Sequence, residues 1–166
     1  INKANWVPLK LVYEDLCKEL SVFSDIKIIL NLPHPQTEDT MFVFNMGPHA
    51  YVGLYTTSEQ TLFLADGANE LFESNQMLSE LTDTTGIAQI KPNYYKYTSR
   101  IDYCASAAIC IGFELARMHR HGKIPDEIVP SKYYRLRYEG KYHQEQSVRI
   151  AELPYYKYSK QTNTCP

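Results

Sequence analysis

The run His49-Ala-Tyr-Val-Gly-Leu-Tyr-Thr56, the polar link Thr57-Ser-Glu-Gln60 and the run Thr61-Leu-Phe-Leu-Ala-Asp66 decide the fold. Residues 50–55 and 61–65 are apolar and rich in aromatic and branched side chains, and the polar residues between them are few. Two such runs predict an antiparallel hairpin. A turn centred between Thr57 and Ser58 sets His49 opposite Asp66, with paired Cβ atoms roughly 4.5–5.5 Å apart. A carboxylate beside an imidazole fixes one tautomer of the ring and stabilises its protonated form. A one-residue slip in this register turns the two side chains to opposite faces.

Upstream, Leu9, Val12, Tyr13, Leu16, Leu20 and Phe23 recur at helical spacing, predicting an amphipathic helix over 8–23 with Pro8 in its first turn. Residues 26–30 and 41–46 read as strands around a proline-containing loop. Downstream, Asn69 is expected to cap a helix bearing Leu71, Phe72, Leu78 and Leu81. Residues 87–97 read as extended, with Pro92 marking an edge or a break. A helix over 102–119 follows, with Asp102 as its N-cap. Small and apolar residues from Cys104 to Phe113 cover nearly its whole circumference, so it should be buried on several sides. Beyond Pro130 the chain is rich in Tyr, Lys and Arg with weak periodicity, and reads as strands or an extended arm. The organisation expected is a single domain over 1–166 with a tyrosine-rich C-terminal extension from about 130. Its class is α+β, a mixed or antiparallel sheet with the Cys104 helix packed against it.

The 166 residues carry a net charge of −2, with 44% hydrophobic and 22% charged residues, which excludes wholesale disorder and argues against a broad polyanion-binding surface. No apolar run reaches the length of a membrane span and no secretory leader opens the chain, so no membrane partner is expected. Cys17, Cys104, Cys110 and Cys165 form no C-x-x-C pair, and His119 and His121 face different ways on a helix. No metal or cofactor is therefore expected, and irregular unpaired thiols suit a reducing, intracellular compartment. The chain opens on Ile1 rather than Met, from which a piece of a longer protein is expected.

Cys104 is the candidate nucleophile. The start of a helix favours a thiolate through its dipole and leaves backbone N–H groups free for an oxyanion. Cys110, deeper in the helix, reads as an inert packing residue. Each residue has a plainer reading: His49 and Asp66-Gly67 as turn residues, Cys104 as core. One geometry accounts for all three together.

The order His49, Asp66, Cys104, on strand, strand and buried helix, resembles the cysteine peptidases that comprise the SUMO and ubiquitin-like-protein proteases, the adenovirus protease and relatives encoded by transposable elements. The quoted residues are His49-Ala-Tyr-Val-Gly-Leu-Tyr, Thr61-Leu-Phe-Leu-Ala-Asp66 and Ile101-Asp-Tyr-Cys104-Ala-Ser-Ala-Ala, with motifs over about residues 40–118. The chain departs from the family in three ways. Ala50 stands where the family has Trp, and Ala105 where it has Gly. The stretch Tyr97-Thr98-Ser99-Arg100, several residues before the cysteine, holds no Gln where the family has one, so Thr98, Ser99 or a backbone N–H is left as the oxyanion donor. The resemblance implies a papain-like layout in permuted His–Asp–Cys order. It implies hydrolysis of a peptide bond in a polyprotein or a ubiquitin-like modifier, with Cys104, His49 and Asp66 catalytic. It also implies a peptide or protein substrate, and the departures from the family pattern, with the Ile1 start, suit a parent polyprotein of mobile-element origin.

Two further readings come from other classes. One is a catalytically inactive protease-like domain that binds a protein or single-stranded nucleic acid through Arg135, Arg137, Lys141 and nearby tyrosines. The other is a metal-dependent nuclease using Asp15, Asp66, Glu70 and Glu73, whose spacing supports no two-metal arrangement.

Overall fold

The computed structural model describes residues 3–21, 25–46, 49–97, 104–139 and 141–142. The elements in chain order are α1 (Lys3–Leu20), β1 (Lys27–Leu30), β2 (Thr40–Met46), β3 (His49–Thr56), β4 (Thr61–Ala65), α2 (Glu70–Glu73), α3 (Asn75–Thr85), β5 (Gln89–Pro92), β6 (Tyr94–Tyr95), α4 (Cys104–Arg120), β7 (Glu127–Ile128) and α5 (Lys132–Tyr138). The class is α+β. Five strands in the order β1-β2-β3-β4-β5 form a mixed sheet, antiparallel at its centre and parallel at both edges. β6 and β7 form a small parallel pair.

The sheet is covered on both faces. Met41, Val43, Val52, Leu54, Phe63 and Ala65 meet α1 and α4 on one face, and Phe42, Phe44, Tyr51, Tyr55, Leu62 and Leu64 meet Leu71, Leu81 and Ile87 on the other. Strands buried on both faces lose the polar alternation of a half-exposed sheet. That is why β2, β3 and β4 read in sequence as near-continuous apolar runs. Removal of such side chains from water stabilises by about 1.5–3 kcal/mol each, before the entropy of ordering the chain is deducted.

Gly112 lies where α4 packs against α1 and β3. A Cβ there would stand 2.8 Å from Leu16 Cδ2 and 3.2 Å from Val52 Cγ1. A glycine inside a helix costs about 1 kcal/mol against alanine. Here it lets α4 lie against α1 and β3 together.

Several elements depart from expectation. α1 starts before Pro8, so the proline is carried inside the helix, where it supplies no N–H to the ladder; Phe23 lies outside the described residues. The single helix expected after Asn69 is two helices. Ser74 interrupts it as the N-cap of α3, accepting a bond from the Met77 N–H at 3.2 Å, and Gly86 closes α3 with φ 73°. Of the segment after Pro130, Lys132–Tyr138 is helical rather than strand or arm, and residues 143–166 lie outside the described residues. Tyr134, Tyr138 and Tyr142 recur every fourth residue, stack at 6.2 and 6.0 Å, and are buried. Tyr134 also packs on Phe113 of α4, at 3.9 Å between ring centroids.

A polar latch joins the hairpin turn to the far end of α4. Asp39 Oδ1 accepts from the Thr57 N–H at 2.8 Å and the Thr57 hydroxyl at 3.0 Å, while Oδ2 meets His119 Nε2 at 2.8 Å. Burial pushes the Asp39 carboxyl up. The Thr57 N–H, the His119 hydrogen bond, the Thr57 hydroxyl and the His119 charge outweigh burial and hold it below its ordinary value. A carboxyl depressed on folding stabilises fully above its unfolded pKa, about 3.9, and loses that contribution as pH falls through the lower folded value. Asp39→Asn should therefore melt lower than wild type near neutral pH and converge on it below about pH 4. Parallel melting-temperature curves across that range would contradict the latch.

Candidate functional site

The register of the hairpin comes first. Val52 pairs with Ala65 and Thr56 with Thr61, leaving a four-residue loop from Thr57 to Gln60 centred between Ser58 and Glu59. This differs by two residues from the register that sets His49 opposite Asp66. An even slip keeps each side chain on its face. Continued past Ala65, the ladder sets Asp66 across from Tyr51, so His49 and Asp66 share a face on a diagonal rather than as a direct pair.

Asp66 is buried, and backbone groups occupy its carboxylate. Oδ1 accepts from the N–H groups of Ala68 at 2.9 Å and Glu70 at 3.1 Å, and Oδ2 accepts from Leu71 at 2.9 Å. It is thus Asp66, not Asn69, whose side chain satisfies the orphan donors at the start of α2. Asn69, at φ 58°, makes no side-chain cap. Its amide instead donates to the Tyr95 carbonyl at 3.0 Å and accepts from the Tyr95 N–H at 2.7 Å, tying this turn to β6.

The carboxylate within ion-pair distance of His49 is that of Glu70, with Oε2 3.9 Å from Nε2. Sequence reasoning noted Glu70 only as a metal-ligand candidate. The missed signal was its place four residues after Asp66, at the start of a helix that folds back beside His49.

Cys104 is the first described residue of α4, and its thiol is half-buried. Burial pushes the thiol up. The N–H groups of Ala50, Ala105 and Cys104 itself pull it down, the Asp66 charge pushes it up again, and the net direction is up. Cys104 packs against the core cluster that includes Ala50, the residue that follows His49. The resting group is a neutral thiol, where the helix start alone predicts a stabilised thiolate. No His49–Cys104 hydrogen bond is formed among the described residues. Tyr51 marks the common ground of the site. Burial first, then the charges of Asp66, Glu70 and Cys104, push its phenol well above the ordinary range. The expected cap Asp102 and the donor candidates Thr98 and Ser99 lie outside the described residues.

The other candidates fall elsewhere. Cys110 is buried and its thiol is pushed up to about 12, chiefly by burial. Cys17 is disulfide-bonded, which removes the premise of four unpaired thiols behind the expected reducing compartment. His119 bonds to Asp39, and among the described residues no three His, Cys, Asp or Glu side chains cluster to hold a metal ion. No helix of the described residues is long and apolar enough to cross a membrane.

Among the described residues after Pro130, three cations have partners within the chain. Arg137 Nε meets Glu19 at 3.3 Å, Lys141 meets Asp15 at 2.9 Å, and the Arg135 guanidinium lies 3.9 Å over the Tyr97 ring. Cations already paired with carboxylates and rings release few counterions from a phosphate backbone.

No protein-family model and no curated protein matches the chain. Among solved structures it is similar to the crystal structure of a de-sumoylating protease. The two chains are 10% identical with a TM-score of 0.39, over 90% of this chain and 75% of that one. Residue roles are therefore argued from local geometry.

Iodoacetamide should alkylate Cys104 about tenfold or more faster than buried Cys110 in the folded protein, since reactivity follows exposure and thiolate character. With the thiol shifted up, the Cys104 rate should still climb above about pH 9. A rate that no longer rises above about pH 9, or equal labelling of the two, would contradict the geometry.

Proposed function

We propose that this chain is a cysteine peptidase with the papain-like layout in permuted order, acting on an extended peptide segment of a polyprotein or a ubiquitin-like modifier. The observation that supports the reading is the packing of Cys104, at the start of α4, against the cluster that includes Ala50, the neighbour of His49 in β3. In this reading Cys104 Sγ attacks the scissile carbonyl carbon while a ring nitrogen of His49 takes the thiol proton. The carbonyl oxygen becomes an oxyanion, served by backbone N–H groups at the start of α4. The C–N bond then breaks, and the imidazolium returns its proton to the departing amine. Water, deprotonated by His49, hydrolyses the thioester and restores the thiol.

The resemblance puts Asp66 behind the imidazole, while the carboxylate within ion-pair distance of His49 is that of Glu70. A thiol that rests neutral makes His49 a general base during attack, rather than the partner of a standing thiolate. Contacts between catalytic groups that are loose without substrate commonly tighten in the substrate complex.

Cleavage of a library of extended peptides, read by mass spectrometry, tests the proposal. Cys104→Ala should abolish turnover while its melting temperature stays near wild type, and His49→Ala should lower turnover by about 10²-fold or more. Cys110→Ala should lower stability by about 1 kcal/mol or more and leave cleavage intact. Undiminished cleavage by the Cys104→Ala protein would end the reading.

A further inference from the structure

We infer that the carboxylate orienting the His49 imidazole is Glu70, and that Asp66 is a positioning residue that holds Glu70 in place; the inference rests on the reading of Cys104 and His49 as a reacting pair. An ionised carboxylate offers about four lone-pair sites. Three bonds from the N–H groups of Ala68, Glu70 and Leu71 converge on Asp66, and both of its oxygens are engaged. Asp66 is 6% exposed and forms no ion pair with His49. Its carboxylate is aimed into the backbone of α2.

Glu70 has the complementary arrangement. Its N–H is held by Asp66 Oδ1 at 3.1 Å, and its side chain reaches back to His49 Nε2 at 3.9 Å. That separation exceeds a charge-assisted hydrogen bond by roughly 1 Å. The Glu70 side chain is 42% exposed, so it has room to close the gap, while the His49 side chain is 15% exposed and held. The turn itself does not swing, because Asn69 clamps it to both backbone groups of Tyr95.

The ring nitrogen matters. A carboxylate on Nε2 keeps the proton of the neutral ring there and leaves the Nδ1 lone pair for the thiol proton. As the imidazolium forms, the Glu70 charge stabilises it. In this chain the order of roles is then Asp66 to backbone, backbone to Glu70, Glu70 to His49.

The test uses the whole chain as His49→Ala, Glu70→Gln, Glu70→Asp and Asp66→Asn variants. Two quantities are read: the melting temperature, and the rate of Cys104 alkylation by iodoacetamide from about pH 5 to 8, where an imidazole changes charge. His49→Ala should remove the limb of the pH profile that follows the imidazole, slowing alkylation at neutral pH by about 10²-fold. Glu70→Gln should reproduce most of that loss with an unchanged melting temperature, and Glu70→Asp should recover part of it. Asp66→Asn, which breaks the cap, should lower the melting temperature by several degrees.

A Glu70→Gln protein with the wild-type profile, beside a folded Asp66→Asn protein that matches His49→Ala, would overturn the assignment and return the orienting role to Asp66. A His49→Ala protein that alkylates like wild type is a different result. It would break the reacting pair itself, and the assignment would fall with it.

Discussion

Helix α4 contributes no side chain of its own at Gly112, where a Cβ would press on the side chains of Leu16 and Val52. That approach sets the height of the helix over the sheet, and so where its first turn meets the strand. The chemistry proposed for Cys104 depends on it, because Cys104 packs against the cluster that holds Ala50 beside His49. β3 is itself fixed by burial on both faces, with Val52 and Leu54 under the helices and Tyr51 and Tyr55 over α2 and α3. A nucleophile and a base far apart in sequence are thereby held to one end of one strand.

Charge around that end is arranged by backbone as much as by side chains. Asp66 spends its carboxylate on the first turn of α2, and three N–H groups draw the Cys104 thiol down against a larger effect of burial. Burial prevails, so the site at rest keeps a protonated sulfur. A site of this kind draws its reactivity from the imidazole at the moment of attack. The acid–base side then matters more than the helix dipole, whose contribution at an exposed terminus is about 0.3–1 kcal/mol.

The strands, the buried character of α4 and the amphipathic stripe of α1 were legible because hydrophobic periodicity reports burial directly. The hairpin was legible as a hairpin but not in register. Turn length sets register, and Thr57 to Gln60 carry no Asn-Gly or Asp-Gly pair to mark a two-residue turn. The two-residue difference was harmless to facing and decisive for partners, moving Asp66 from His49 to Tyr51. Asp66 as a cap was hidden because Asp-Gly reads equally as a plain turn. Glu70 was hidden because a four-residue helix leaves almost no periodic signal. The helix α5 was missed although Tyr134, Tyr138 and Tyr142 stand at helical spacing. Tyrosine's preference for strands outweighed a short periodic run, and packing on α4 overrode that preference.

The claim at the centre is that His49 and Cys104 sense one another. The most direct measurement is the 15N chemical shifts of the His49 ring before and after Cys104 is capped with methyl methanethiosulfonate. The account predicts a shift at Nδ1, with the distant His119 ring unmoved. Ring shifts at His49 that stay the same after complete capping of Cys104 would contradict it.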